Sequence, residues 1–216
     1  MIKIYLGKIM WIKPGRRVCF TMNVGWDIET YASVGTLILS IALTIPFFRL
    51  DWKKYGLLFL LSAVVGMALC FIFIGMDLYS FPHRLFPGIS KIPFTAILTI
   101  FPLYVLVGVR YSPRPWAWKI PFYWVMVHLG MAAEFWAEEK TQLIKYGPSW
   151  DLWDSYTWWW IFLLVFEWIG GMIVPEKVKK PLEVESFKFG KLGWFIHHFI
   201  LMTTIFLAGY IAGRMK

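Results

Sequence analysis

Glu134 and Glu138 stand close together in the stretch EFWAEEKTQLIKYGPSW, residues 134 to 150. On a helix their spacing turns the chain by only about 40°, so both carboxylates leave nearly the same face. Like charges held that closely at a membrane boundary call for a proton, a cation or a basic partner. Three chemistries fit: a proton-exchanging pair, a metal site, or a cradle for a cationic ligand. The plainer account is a solvated helix end on which Glu138, Glu139 and Lys140 pair with one another. It suits Glu138 better than the deeper Glu134. Trp136, Tyr146 and Trp150 supply an aromatic surround, and indoles beside carboxylates suit an ammonium headgroup.

Glu167 is a second candidate, because it interrupts the apolar run LLVFEWIGG. A charge at the centre of a membrane helix costs about 2.5–3.5 kcal/mol, so Glu167 should face the bundle and have a partner. His128, His197, His198, Arg84 and Arg110 are the basic or imidazole side chains expected to reach it, in a structural hydrogen bond or a catalytic one. His197 and His198 are adjacent and point about 100° apart on a helix, so they form no metal pair. His128 lacks a His or carboxylate one turn onward. No HExxH, Glu-x-x-His, GxSxG, P-loop or GxGxxG is present, so no metal and no cofactor is expected.

The elements that must position these residues are set by composition. Of 216 residues, 59% are hydrophobic and 16% charged, and several apolar runs approach the length that crosses a bilayer, about 20 residues. The +9 formal charge lies between those runs, where Lys and Arg act as topology signals and meet anionic lipid. That placement argues against nucleic acid as a partner. Cys19 and Cys70 form no motif.

Spans are expected at about 31–48, 56–76, 92–109, 116–136, 156–174 and 194–213, with Pro102 kinking the third. The chain then divides into a basic amphipathic segment (1–26), a five-span core (27–174), a polar linker (175–193), and a sixth span with its tail (194–216). Ile2, Tyr5, Leu6, Ile9 and Ile12 follow helical spacing, which predicts a short N-terminal helix in the membrane interface. With that helix in the interface, the Lys/Arg bias puts loops 1–2, 3–4 and 5–6 in the cytoplasm. Of 14 tryptophans, ten fall between Trp116 and Trp168, mostly as interfacial belts.

Three stretches resemble an uncharacterised family of small multi-spanning membrane proteins from spore-forming bacteria. They are the basic loop FRLDWKKYG, the loop FPHRLFP and the run EFWAEEKTQLIKY. FPHRLFP is similar to that family's aromatic-Pro-x-Arg-x-x-Pro, and the last run to its Glu-x-Trp-x-Glu followed by Thr-x-Leu-Ile-Lys-aromatic. The likeness covers roughly residues 35 to 174 and places Pro82, Arg84, Pro87, Glu134, Trp136, Glu138, Thr141, Lys145 and Tyr146 at motif positions. It implies a location for a site and carries no established activity.

The sequence is therefore read as all-α: a polytopic transmembrane helical bundle of the cell membrane, with six spans, or five as the alternative. Its expected role is non-enzymatic, binding membrane lipid, a protein partner or a second copy at a polar site on one membrane face. The alternatives are an enzyme acting on a lipid or headgroup, and a small proton-coupled transporter. Arg84 is expected to neutralise Glu134 or Glu138.

Overall fold

The computed structural model describes residues 3–5, 8–10, 22–183 and, beyond those, positions 198, 199, 201, 202, 204, 205, 208, 209 and 213. In chain order these form β1 (Lys3–Tyr5), β2 (Lys8–Met10), β3 (Met22–Asn23), α1 (Ile28–Gly75), β4 (Tyr79–Ser80), α2 (Phe94–Ile97), α3 (Ile100–Tyr111), α4 (Trp116–Lys140), β5 (Lys145–Tyr146), α5 (Leu152–Ile173) and a 3₁₀ turn at Glu176–Val178. The protein is mostly helical.

α1 is 48 residues long but not one rod, because Asp51 leaves helical geometry (φ −158°, ψ 91°). Its two arms, 28–50 and 52–75, fold back on each other. Phe47 meets Tyr55 with ring centroids 5.6 Å apart, and Phe48 meets Phe59 at 5.4 Å. Along a straight helix those pairs would lie about 12 and 16 Å apart at 1.5 Å per residue. Asp51 also accepts a hydrogen bond from the Lys54 amide at 3.0 Å, restarting the second arm. The expected loop between the first two spans is thus a hinge.

Helix ends are closed by local chemistry. Asp27 caps α1 by accepting from the Thr30 amide at 2.7 Å, and that backbone bond holds its carboxyl below the usual carboxylate range. Asp151 and Asp154 form a reciprocal capping box at the start of α5. Asp77, at φ 56°, turns the chain out of α1, where an L residue with a short polar side chain is tolerated.

Among the described residues, three helices are long and apolar enough to cross a membrane: Ile28–Gly75, Phe94–Tyr111 and Leu152–Ile173. α4 has 25 residues, but its Trp, Tyr, His and charged side chains make it less apolar than these. The helix surface carries many large apolar side chains, over an interior that is also mainly apolar. Ile38, Leu60, Phe71, Leu129 and Met172 point outward, whereas Ser40, Thr44, Ser62 and Glu167 are buried. Thr44 and Ser62 donate to the carbonyls of Ser40 and Leu58 in their own helix, at 2.7 and 2.9 Å. Internally satisfied backbone and hydroxyl groups beneath an apolar exterior are compatible with a membrane protein.

Between such helices, close contact rather than water exclusion supplies the attraction. Gly170 of α5 lets α3 approach so closely that an added Cβ would run into the Val109 side chain. Gly170→Leu is expected to cost about 1–3 kcal/mol by overpacking. Neighbouring Gly171, with nothing within 4 Å of an added Cβ, serves as the control. Unfolding of both variants in mixed micelles checks this; equal losses would remove the close-approach explanation.

One expectation changes. The N-terminal segment, read as an interfacial helix, instead holds β1, β2 and β3 in one antiparallel sheet, with Ile4 opposite Ile9 and Lys8 opposite Asn23. Lys3-Ile4-Tyr5 and Lys8-Ile9-Met10 alternate with period two as readily as they fit helical spacing, and Gly7 lies between them. Pro102 interrupts the third span as expected: Leu98, whose carbonyl the missing N–H would have bonded, and Thr99 form the break between α2 and α3. The expected sixth span lies mostly outside the described residues, although the positions described between 198 and 213 are helical.

Candidate functional site

The site forms at one end of the bundle, where two loops distant in sequence are stitched together. β4 pairs antiparallel with β5, Tyr79 opposite Tyr146 and Ser80 opposite Lys145. The His83 amide donates to Gln142 O at 2.7 Å, and the Gly147 amide to Leu78 O at 2.8 Å. The Gln142 amide donates to Glu29 at the start of α1, at 3.1 Å. FPHRLFP and the segment after Glu138 therefore share one end of the molecule.

Glu134 projects from α4 beneath this joint and is half-buried. Its Oε1 accepts from the Tyr146 hydroxyl and its Oε2 from the Trp159 indole N–H, both at 2.8 Å. Burial, and after it the Glu134 charge, push the Tyr146 hydroxyl up from its ordinary range, so it remains a donor. Trp159 is fixed by its neighbours: it stacks on Phe101 with centroids 5.0 Å apart and planes 12° apart. Gly130 of α4 leaves the room its ring needs, because an added Cβ there would come within 3.2 Å of the ring.

Glu138 takes a different partner. It lies 3.9 Å from Lys145, whose ammonium also donates to the Glu138 carbonyl and so closes the α4 C-terminus. One turn of helix thus separates an ordinary helix-end ion pair from a carboxylate held by two neutral donors. Arg84 neutralises neither, contrary to expectation. Its Nη1 donates to Phe81 O at 2.5 Å, and among the described residues no carboxylate lies within 4.0 Å of it. The tight loop after Pro82 turns the guanidinium onto its own backbone.

Arg84 and Glu134 nevertheless border the same space, a cavity of about 340 Å³. That volume lies at the lower end of the range for small-molecule sites, about 300–1,000 Å³. Gly66, Ile97, Phe101 and Phe162 line its apolar part, and Trp136, Trp150, Trp158 and Trp159 form an aromatic wall. His83, Arg84 and Glu134 are the imidazole, guanidinium and carboxylate on its lining. Arg84 Nε and His83 Nε2 are buried, and neither has a hydrogen-bond partner among the described residues. Trp150, placed in the aromatic surround from sequence, is buried and donates to Ser155 at 2.8 Å.

Glu167 belongs to a separate, closed cluster near the opposite end. It accepts from Ser112 Oγ at 2.9 Å and Tyr123 OH at 2.6 Å, and it forms an ion pair with Lys119. Arg84, Arg110 and His128, three of the anticipated partners, are engaged elsewhere. His128 Nδ1 lies 2.7 Å from Trp124 O in its own helix, and Arg110 donates to Val178 O at 2.6 Å. His197 lies outside the described residues. Lys119 does not stand out in the sequence, because it lies only three residues into the fourth apolar span, close to the charges that flank it. Depth would have found it: α4 and α5 run antiparallel, so the start of one faces the end of the other. Trp159 and Glu134 match in depth for the same reason.

No group of three or more His, Cys, Asp and Glu side chains among the described residues could hold a metal ion. Chemically, Glu134 is an oriented acceptor pair beside aromatic faces, suited to receiving a cation or donor. No protein-family model, curated protein or solved structure matches the chain.

Proposed function

We propose that this chain is a multi-pass protein of the cell membrane that binds a membrane lipid, without turning it over, in the cavity ending at Glu134. The observation that carries this function is the cavity itself, apolar over most of its wall and charged at the end where the loops meet. An amphiphile has that distribution. The two arms of α1, the α2–α3 unit, α4 and α5 then serve as five spans, with residues 194–213 as the sixth. Loops 1–2, 3–4 and 5–6 face the cytoplasm, and the likeness to the spore-former family is part of the same proposal.

The proton-carrier alternative draws no support from Glu167, which is enclosed by Ser112, Lys119 and Tyr123 and lines no part of the cavity. An enzyme acting on a headgroup would also need a cavity reaching Glu134. However, both carboxylate oxygens already accept from protein donors.

Native mass spectrometry of the gently purified protein tests the proposal. Lipid is expected to stay with the wild type and to fall about tenfold in Ala133→Trp, whose side chain fills the cavity from an exposed lining position. Equal lipid in both proteins would overturn binding at this cavity. Release of free headgroup by the wild type, absent in Glu134→Gln, would replace binding with catalysis.

A further inference from the structure

Resting on the lipid-binding function proposed above, we propose that the cavity selects a zwitterionic phospholipid, placing its phosphate at Arg84 and His83 and its ammonium at Glu134. The lining offers one guanidinium and one carboxylate that do not pair with each other, and one imidazole. A purely anionic ligand at Arg84 would leave Glu134 opposed to it, and a purely cationic one would leave Arg84 opposed. A ligand carrying both signs satisfies both.

The unfilled valences have the matching chemistry. Arg84 spends Nη1 on the Phe81 carbonyl, which orients the guanidinium, while its buried Nε has no acceptor. His83 has its Nδ1 3.4 Å from the Asn23 side-chain amide, and its buried Nε2 has no partner. Buried polar atoms left without partners are costly, and these two belong to basic side chains that line the cavity, so an oxyanion reaching them would relieve that cost. With the Asn23 amide donating to Nδ1, the His83 ring carries its N–H on Nε2, the atom left without a partner.

At the other pole, Glu134 keeps lone pairs beyond those used by Tyr146 and Trp159. The indoles of Trp136, Trp150, Trp158 and Trp159 share the lining, and an ammonium seated beside one of them would gain a cation–π contact. Charge and aromatic surface thus occur together where a headgroup would lie, and the apolar remainder of the cavity receives part of a chain.

The test uses the full chain in mixed micelles and three lipids with identical acyl chains. Phosphatidylethanolamine carries phosphate and ammonium, phosphatidylglycerol carries phosphate alone, and diacylglycerol carries neither. Binding is measured by native mass spectrometry. The wild type is expected to prefer phosphatidylethanolamine over phosphatidylglycerol about tenfold, with diacylglycerol weakest. Arg84→Gln should weaken both phospholipids by similar factors, and Glu134→Gln should weaken phosphatidylethanolamine alone.

Equal or tighter binding of phosphatidylglycerol by the wild type overturns the headgroup assignment and needs no variant to fold. Loss of all three lipids equally in Arg84→Gln overturns the phosphate contact. Glycerophosphoethanolamine, the same headgroup without chains, should compete far more weakly; equal competition would transfer the site to a soluble zwitterion. Failure of the wild type to bind any of the three lipids would instead defeat the underlying lipid-binding function.

Discussion

Glu167→Ala is expected to destabilise the protein by about 3–5 kcal/mol, the cost of leaving one member of a buried ion pair without the other. The Lys119 side chain is 14% exposed and that of Glu167 is 4% exposed, so neither is screened by water. Lys119 also lies over the Trp116 ring, 5.3 Å from its centroid, which cannot replace a carboxylate. Ser112 and Tyr123 would lose their acceptor in the same step. Because these groups come from α3, α4 and α5, the loss should appear as a cooperative shift of the whole unfolding transition. Equilibrium unfolding in mixed micelles measures it. Lys119→Met combined with Glu167→Leu should recover most of the loss, since apolar replacement of a buried pair is often neutral or favourable. A single Glu167→Ala variant within about 0.5 kcal/mol of wild type would mean that the cluster contributes nothing to stability.

Glu134→Ala should produce the second large effect. Each hydrogen bond to a charged group contributes about 1.5–3 kcal/mol, and Ala removes the acceptor for both Tyr146 and Trp159. Those bonds join α4 to β5 on one side and to α5 on the other, so the loss should loosen the loop joint as well as the helix pair. Glu134→Gln retains one acceptor oxygen but sets an amide N–H₂ against a donor, so its cost should be intermediate. The decisive measurement is a double-mutant cycle with Trp159→Phe. If the bond is made, the two single losses will exceed the loss of the pair. Strict additivity would show that Glu134 and Trp159 are energetically independent.

Both predictions concern carboxylates that stood out from sequence, yet their roles diverge for reasons the sequence did not carry. Glu134 lines a cavity, whereas Glu167 is closed by three partners. Glu138, one turn from Glu134, was readable as helix-end chemistry. Its partner differs from the expected Lys140: the chain turns back after the helix end, and Lys145 supplies the ammonium.

What the sequence by itself determined is local. Long apolar runs bounded by charges and prolines placed α1, the α2–α3 unit, α4 and α5 close to their observed limits, because hydropathy and helix-breaking act over neighbouring residues. The charged interruption FRLDWKKYG was equally legible, and it houses the hinge at Asp51. The tertiary structure decided which side chains met. Lys119 reached Glu167 because antiparallel helices bring a beginning to the depth of an end, a relation that crosses 48 residues of chain. Arg84 missed Glu134 because its own loop carbonyl was a nearer acceptor, even though the fold brought both to one cavity. The N-terminal strands formed where short segments satisfied two periodicities at once, and pairing between segments, absent from any single window, chose between them.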